Sequence, residues 1–306
     1  MKCSRAGSLV RTLLLTGIAV QAQELDQHKP IFPSDSQVPA VGRGSELLES
    51  VCPGHVARGK VIGCRSGCPA YTAVGALNTW DDNQDGDNGE AWQLAAVTSG
   101  HFLSPNSQDA VLSMSGCEPH SLNSGGTILV TRKSQRWTML WYKAGVETTQ
   151  CHKVPIPDGR EILVCIGVSG GQGVTATDLY VEDLQNPKPA LMAGDGDETF
   201  FEAFENVGGC GWYQDDPLHP FPLIRTHIDQ VEFLKSKSKI KSVPTISVTA
   251  QFGKREMKPD DVEACMAHAR DFLPLTKSYQ INFLYDKGGY APAPSSADTV
   301  RMFDSR

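Results

Sequence analysis

The segment CHKVPIPDGREILVC contains a turn that determines how its two halves can pair. Pro157-Asp158-Gly159 is typical of a type I turn whose glycine adopts the left-handed conformation. That turn sets Ile156 opposite Arg160, and counting back along both strands sets Cys151 directly opposite Cys165. Facing residues of an antiparallel pair lie close enough for a disulfide bond. The sequence therefore predicts a β-hairpin closed by a Cys151–Cys165 bridge.

Elsewhere the chain alternates short apolar runs with glycine and proline, a pattern typical of β-strands joined by turns. Runs rich in valine, isoleucine, threonine and aromatic residues predict strands at 109–114, on both sides of 133–135, and at 243–253. Strand clusters recur at roughly 50-residue intervals, and repeats of that length are typical of propeller blades. The expected fold is all-β, a small β-propeller of about five sheets with one inserted helix near 259–273. A large β-sandwich is the alternative.

Two segments carry more detailed expectations. In RWTMLWYK, simple alternation places Trp137, Met139 and Trp141 on one face of a strand and Thr138, Leu140 and Tyr142 on the other. Both faces are largely apolar, which predicts burial on both sides. The helix has a proline near its start and acids in its first turn. Its predicted inward face consists of Val262, Cys265, Met266, Ala269, Phe272 and Leu273. Cys265 is expected to be a buried thiol or to be bridged to the sheet beneath.

The N-terminus predicts export from the cytoplasm. In residues 1–22, basic side chains precede an apolar run that is too short to span a membrane, and small residues follow it, as in a cleaved signal peptide. Residues 23–45 contain three prolines without apolar periodicity and predict an extended linker. Residues 46–306 are then the disulfide-bonded β domain, because eight of the nine cysteines follow the signal peptide. The expected location is secreted or periplasmic, with no membrane span.

The charge balance disfavours nucleic acid as a partner. The formal net charge is −7, and the only cationic concentration is the short run at 234–241. A surface that binds polyanions needs a broad basic face to neutralise phosphates. We interpret the short run as a solvated hairpin edge. The expected partner is an unidentified protein or a carbohydrate.

Residues 95–130, AAVTSGHFLSPNSQDAVLSMSG and then GGTILV, resemble one blade of the FG-GAP or VCBS type of β-propeller repeat. In that repeat an apolar strand leads to Gly-Asp-Phe, an acidic calcium loop follows, and an aspartate opens the next apolar strand. The matching residues are Gly100, Phe102, Asp109, Ala110, Val111, Leu112 and Gly126. His101 stands where the family has aspartate, and SPNSQ replaces the acidic loop. The resemblance implies propeller architecture, but it does not carry a calcium site over to this loop.

The loop WDDNQDGDNGEAW, residues 80–92, has the ligand spacing of a calcium loop. Oxygen ligands at alternate positions, followed by a glycine, let a short loop fold around Ca²⁺. The predicted ligands are Asp81, Asn83, Asp85, Asp87 and Glu90. Calcium is the one cofactor that the sequence suggests. Trp92 stands where an EF-hand has its last glutamate, and Gly89 stands where a repeat blade has an acid, so a solvated acidic turn is the alternative.

No complete catalytic motif is present in the sequence, and we assign no catalytic residue. GVSGG at 167–171 has the letters of a nucleophile elbow, but a β-branched run follows it where the elbow requires a helix. Acidic residues cluster at 81–90 and 195–205, although clustering in sequence does not set the separation that a glycosidase needs. The five tryptophans suit either sugar stacking or core packing.

These observations favour a non-catalytic recognition module that is secreted or periplasmic, with calcium as a candidate stabilising ion. One alternative is a glycan-acting hydrolase on a propeller scaffold, with its acids in the two acidic loops. Another is a structural exported protein without enzymatic activity.

Overall fold

The computed structural model describes residues 32–57, 62–64, 68–69, 74–75, 80–81, 92–117, 124–143, 148–171, 174–185, 199–206, 210, 222–236, 243–286 and 288–304. The predicted signal peptide lies outside the described residues.

Strands dominate the described part of the chain. The first group is β1 Cys68–Pro69, β2 Val74–Gly75, β3 Trp80–Asp81, β4 Gln93–Gly100, β5 Asp109–Ser115, β6 Ser124–Lys133 and β7 Arg136–Lys143. The second group is β8 Cys151–Pro155, β9 Glu161–Gly171, β10 Val174–Glu182, β11 Thr199–Glu205, β12 Pro222–Leu234, β13 Thr245–Glu256, β14 Lys277–Asp286 and β15 Gly289–Pro292. The helices are α1 Val41–Leu48, α2 Val262–Phe272 after a 3₁₀ turn at Pro259–Asp261, and α3 Ala297–Asp304. None of these described helices has the length and apolar character needed to cross a membrane.

The first sheet is antiparallel, with the strand order β2-β7-β6-β5-β4. Successive side chains of a strand point to opposite faces, so the apolar runs of β5 and β6 supply two cores. On one face, Leu112 and Ile128 pack with Leu47 and Leu48 of α1. The strands predicted at 109–114 and on both sides of 133–135 are confirmed.

A β-bulge interrupts the predicted alternation of β7. Leu129 pairs with Trp141 but Val130 pairs with Met139, so Leu140 is an extra residue in the ladder. Trp137 and Met139 therefore pack on the α1 face together with Tyr142, while Trp141 packs on the opposite face. The prediction that Trp137, Met139 and Trp141 share one face was wrong, because an inserted residue reverses the faces beyond it.

The second sheet joins β8 to β15 in chain order as one antiparallel ladder of eight strands. The sheet curls, since the ring of Phe233 on β12 lies 4.1 Å from that of His152 on β8, centroid to centroid. Phe200 on β11 likewise contacts Phe283 and Tyr290 on β14 and β15. The curled sheet encloses a single apolar core to which all eight strands contribute.

The described residues do not form the predicted propeller of about five sheets. A propeller needs separate four-stranded blades, whereas β8 to β15 form one unbroken ladder, and neither large sheet closes on itself. The two sheets, packed face to face, fit the alternative, a β-sandwich. Hairpins that follow one another in a long meander produce the same periodicity of apolar runs as blades do.

Strand β9 lies between two cores. Ile162, Val164 and Ile166 face the core of the second sheet. Leu163 and Cys165 face the first sheet and pack in a second core with the residues Phe102, Val111, Leu129 and Trp141. Burial on both faces explains why EILVCIGV is apolar almost without interruption.

The hairpin at 151–165 has the predicted turn and register. Gly159 has a φ of 87°, and the backbone N–H of Ile156 donates to the carbonyl of Arg160 at 2.9 Å. Cys151 pairs with Cys165 in the ladder, and the two residues are joined by a disulfide bond. Two other described bridges are Cys52–Cys64 and Cys210–Cys265, and Cys117 is also disulfide-bonded.

The helix predicted at 259–273 is confirmed by α2 and its preceding turn. Cys265 is buried and disulfide-bonded, but its partner Cys210 lies outside the strands of the sheet, so the bridge does not run to the sheet as expected. Met266 was wrongly placed on the inward face of the helix, because its side chain is 60% exposed. The kink at His268 shows that the helix does not keep one regular apolar stripe.

Residues 32–37, which we term the N-terminal strap, bridge the two sheets. The backbone N–H of Asp35 donates to the carbonyl of Cys151 on β8 at 2.7 Å. Gln37 and Val97 of β4 exchange two backbone hydrogen bonds of 2.9 and 2.8 Å. The strap therefore occupies edge positions on both sheets, and α1 begins at Val41, inside the range that the sequence assigns to the linker.

Candidate functional site

Helix α1 forms one wall of an open groove on the outer side of the first sheet. Leu47 and Leu48 of this helix are fully buried. Gly44 lies so close to the side chain of Ile62 that a β-carbon added to Gly44 would lie only 2.8 Å from that side chain. Because 3.6 residues make one helical turn, burial of these positions leaves Glu46 and Glu49 exposed on the outward side. The core thus determines which side chains α1 presents.

The hairpin of β6 and β7 forms the opposite wall. Its turn residues Ser134 and Gln135 have φ angles of 48° and 71°, a pair of left-handed residues typical of a type I′ turn. Trp137 follows on β7 and is half-buried against the core beneath α1. The guanidinium carbon of Arg132 lies 6.0 Å from the centroid of the Trp137 ring, within range of a cation–π contact.

The groove between these walls has a volume of about 830 Å³. Its lining residues are Val41, Gly42, Ser45, Glu46, Glu49, Ser50, Gln135, Arg136 and Trp137. Its volume falls within the range of ligand sites in proteins. One aromatic ring together with carboxylate, amide, guanidinium and hydroxyl groups is a composition suited to binding a polar ligand.

Several polar groups of the groove have no side-chain partner in the described part of the chain. The buried hydroxyl oxygen of Ser45 makes no hydrogen bond there. The exposed side chains of Glu46, Gln135 and Arg136 also make no hydrogen bond or ion pair with described residues. Glu49, in contrast, accepts a hydrogen bond of 3.0 Å from the backbone N–H of Gly54. The groove therefore offers donors and acceptors that the fold itself does not use.

The predicted calcium ligands do not form a describable site. Asp81 lies in β3, where its backbone pairs with Cys68, while Asn83, Asp85, Asp87 and Glu90 lie outside the described residues. The described residues contain no cluster of three or more histidine, cysteine, aspartate or glutamate side chains able to hold a metal ion. Calcium binding at residues 81–90 stays a prediction.

The loop that resembles a repeat blade is held by one buried carboxylate. Asp109 Oδ2 accepts hydrogen bonds of 2.9 Å from the backbone N–H groups of Phe102 and Leu103, and one from the hydroxyl of Ser107. Its Oδ1 accepts a hydrogen bond of 2.7 Å from the hydroxyl of Thr131. In this loop the aspartate therefore organises the backbone through protein donors.

A buried ion pair joins the two sheets. Lys143 Nζ on β7 lies 2.9 Å from Glu182 Oε1 on β10, and both side chains are almost fully buried. On the same face of β10, Asp178 is buried, and it faces Glu202 of β11 in the strand register. Two carboxylates thus occupy facing positions on neighbouring strands, which is a feature the sequence alone did not place.

Arg160 links the predicted hairpin turn to the end of β10. Its Nε lies 2.7 Å from Asp158 Oδ2, and one of its terminal nitrogens lies 3.0 Å from Asp183 Oδ1. The same nitrogen donates to the carbonyl of Phe102 at 3.2 Å. Desolvation acts to raise the pKa of Asp158, but hydrogen bonds from Arg160 outweigh it and lower that pKa below its usual value. This cluster is a structural clamp, because its members use their polar atoms on one another.

The sequence indicated only part of the groove. Trp137 was among the tryptophans considered for sugar stacking, but Ser45, Glu46 and Glu49 were assigned to the linker and the start of the β domain. A usable signal was present, since Leu47-Leu48 flanked by glutamates is typical of a short amphipathic helix. The approach of the β6–β7 hairpin to this helix had no signal in the sequence.

Comparisons with protein-family models, with curated proteins and with solved structures found no match for this chain. The geometry of the groove therefore carries the functional argument.

Proposed function

We propose that the protein is an exported, non-catalytic recognition module whose ligand binds between α1 and the β6–β7 hairpin. The observation that carries the proposal is the groove of about 830 Å³, in which a tryptophan wall meets polar groups that the fold leaves unused. Ligand sites combine apolar surface with a few polar groups that orient the ligand. Binding would satisfy the exposed side chains of Glu46, Gln135 and Arg136.

Disulfide chemistry supports this proposal. Three described disulfide bonds suit an oxidising compartment, which agrees with the signal peptide that residues 1–22 predict. A calcium ion at 81–90 would add stability without taking part in chemistry.

The residues of the groove favour binding over catalysis. None of the described residues that line it is a histidine or a cysteine. Its two carboxylates, Glu46 on α1 and Glu49 at the C-cap of α1, lie three residues apart and therefore share a wall. A glycosidase needs its carboxylates on either side of the bond that is cleaved.

The test fills the groove without touching the core. A β-carbon at Gly42 meets no atom within 4 Å, so Gly42→Trp should place an indole in the groove and leave the fold intact. Gly289 on β15 is equally open and lies outside the groove, which makes Gly289→Trp the matched control. Wild type and both variants would be screened on one glycan array and one random-peptide display library, with melting temperatures measured in parallel.

We expect ligands that wild type and Gly289→Trp retain and Gly42→Trp loses, at unchanged melting temperature. Equal binding by all three proteins would place the ligand site elsewhere and refute the groove. Failure of all three proteins to bind any member of either collection would refute the recognition function.

The hydrolase alternative is favoured by one observation, the facing positions of Asp178 and Glu202. Facing side chains on antiparallel strands have β-carbons about 5 Å apart, so these two carboxyl groups lie near each other, as the paired carboxylates of a glycosidase do. Most of the acidic residues first considered for this role, at 82–90 and 195–198, lie outside the described residues. Release of reducing sugar by wild type, abolished in both Asp178→Asn and Glu202→Gln, would support the hydrolase. Its absence on the polysaccharides that the protein binds would refute it.

A further inference from the structure

We infer that the ligand of the groove is a neutral oligosaccharide, bound by stacking on Trp137 and by hydrogen bonds to the polar groups of both walls. This inference rests on the proposed function and adds the chemical class of the ligand to it.

The two walls of the groove carry opposite charge. Glu46 lies on α1 and Glu49 lies at its C-cap, whereas Arg136 lies on the hairpin with the exposed Arg132 and Lys133 close by in sequence. A ligand with one sign of charge would be attracted by one wall and repelled by the other. A hydroxyl group donates to a carboxylate and accepts from a guanidinium, so a chain of hydroxyl groups suits both walls at once.

The neutral hydrogen-bonding groups of the groove fit the same ligand. Gln135 supplies both a carbonyl and an amino group at the hairpin turn. Its amide can therefore both accept and donate hydrogen bonds. Sugar hydroxyls have the same dual capacity, which lets one ligand pair with both groups.

Trp137 supplies the apolar part of the site. Its side chain is half-buried, so the ring is held in place by the core and still reaches the groove. Burying a rigid aromatic side chain costs little conformational entropy on binding, and its flat face matches the C–H face of a pyranose ring. Arg132, at 6.0 Å from the ring centroid, further restrains the indole.

The groove is poorly suited to a helical peptide. Such a peptide needs an apolar trough, whereas Val41 and Trp137 are the only large apolar side chains among the described residues that line this groove.

Isothermal titration calorimetry on the full mature chain tests the inference. The probes are cellohexaose, xylohexaose, mannohexaose, maltohexaose, laminarihexaose and chitohexaose, with hexagalacturonate as the charged comparison. At least one neutral hexaose should bind, and hexagalacturonate should bind more weakly. Trp137→Ala should weaken the Kd by about tenfold, and Trp137→Phe by less, because phenylalanine retains a stacking face.

Glu46→Gln should weaken binding by about threefold or more, because hydrogen bonds to a charged acceptor are the stronger ones. Glu263→Gln is its matched control, since Glu263 is an exposed glutamate on α2, and it should leave the Kd unchanged. If Trp137→Ala fails to fold, Gly42→Trp and Arg136→Ala apply the same test from positions outside the core.

The outcomes separate this inference from the proposed function. If a displayed peptide, or hexagalacturonate alone, bound in a groove-dependent way, the inference of a neutral oligosaccharide would be refuted and the proposed recognition function would stand. Hexaose binding that Trp137→Ala and Gly42→Trp both leave unchanged would overturn the inference and the groove together.

Discussion

Asp109 illustrates how one side chain organises a loop. Its carboxylate accepts hydrogen bonds from two backbone N–H groups and from the hydroxyls of Ser107 and Thr131, all in a buried setting. Asp109→Ala would leave these donors without an acceptor, so we expect the free energy of unfolding to fall by about 3–5 kcal/mol. Asp109→Asn keeps one acceptor oxygen and can donate to Thr131, so its loss should be about 1–2 kcal/mol. Urea denaturation measures both values, and equal losses would contradict this role.

His152 makes the stability of the strap depend on pH. Burial lowers its pKa below 6.5, although Asp35 acts to raise it, while neighbouring Lys153 lowers it further. The unfolded chain therefore takes up the proton first as the pH falls, and stability is lost from about pH 6.5 downward. The melting temperature of wild type should fall more steeply between pH 7.5 and 5 than that of His152→Gln, which keeps a donor for Asp35. Parallel pH curves for the two proteins would refute this assignment.

At the scale of elements, the Lys143–Glu182 pair connects β7 of the first sheet to β10 of the second. Removing one partner of a buried pair leaves the other charge without compensation, so Lys143→Met should cost about 3–5 kcal/mol of unfolding free energy. The double variant with Glu182→Leu should recover most of that loss, because two apolar side chains replace the pair. Chemical denaturation of wild type, Lys143→Met, Glu182→Leu and the double variant forms a double-mutant cycle, and additive losses would mean that the two charges act independently.

At the scale of the whole molecule, calcium is the remaining sequence prediction about stability. If residues 81–90 bind Ca²⁺, the ion stabilises the folded chain by mass action, and excess calcium should raise the melting temperature relative to a chelator. Asp85→Asn combined with Asp87→Asn should remove the difference. An unchanged midpoint in calcium and in chelator would exclude the site and leave the solvated acidic turn.

Local rules predicted the features that involve residues close in sequence. The Pro157-Asp158-Gly159 turn determines its own register, so the pairing of Cys151 with Cys165 followed from counting. The helix at 259–273 also followed from its own residues. The bulge at Leu140 did not, because a strand with apolar residues on both faces gives no sign of an inserted residue. This bulge is the reason why Trp137, Met139 and Trp141 do not share one face of the strand, as the sequence had predicted.

The sequence by itself determined a β-rich chain with a closed hairpin and one long helix, because each depends on interactions within a short segment. Only the tertiary structure decided that hairpins join into one curled ladder and that Cys265 pairs with Cys210. It also decided that α1 lies beside Trp137, which creates the groove. These arrangements depend on packing between surfaces that are far apart in the chain. An alternation of apolar residues predicts that one face of a strand is buried, but it does not predict which other surface covers that face.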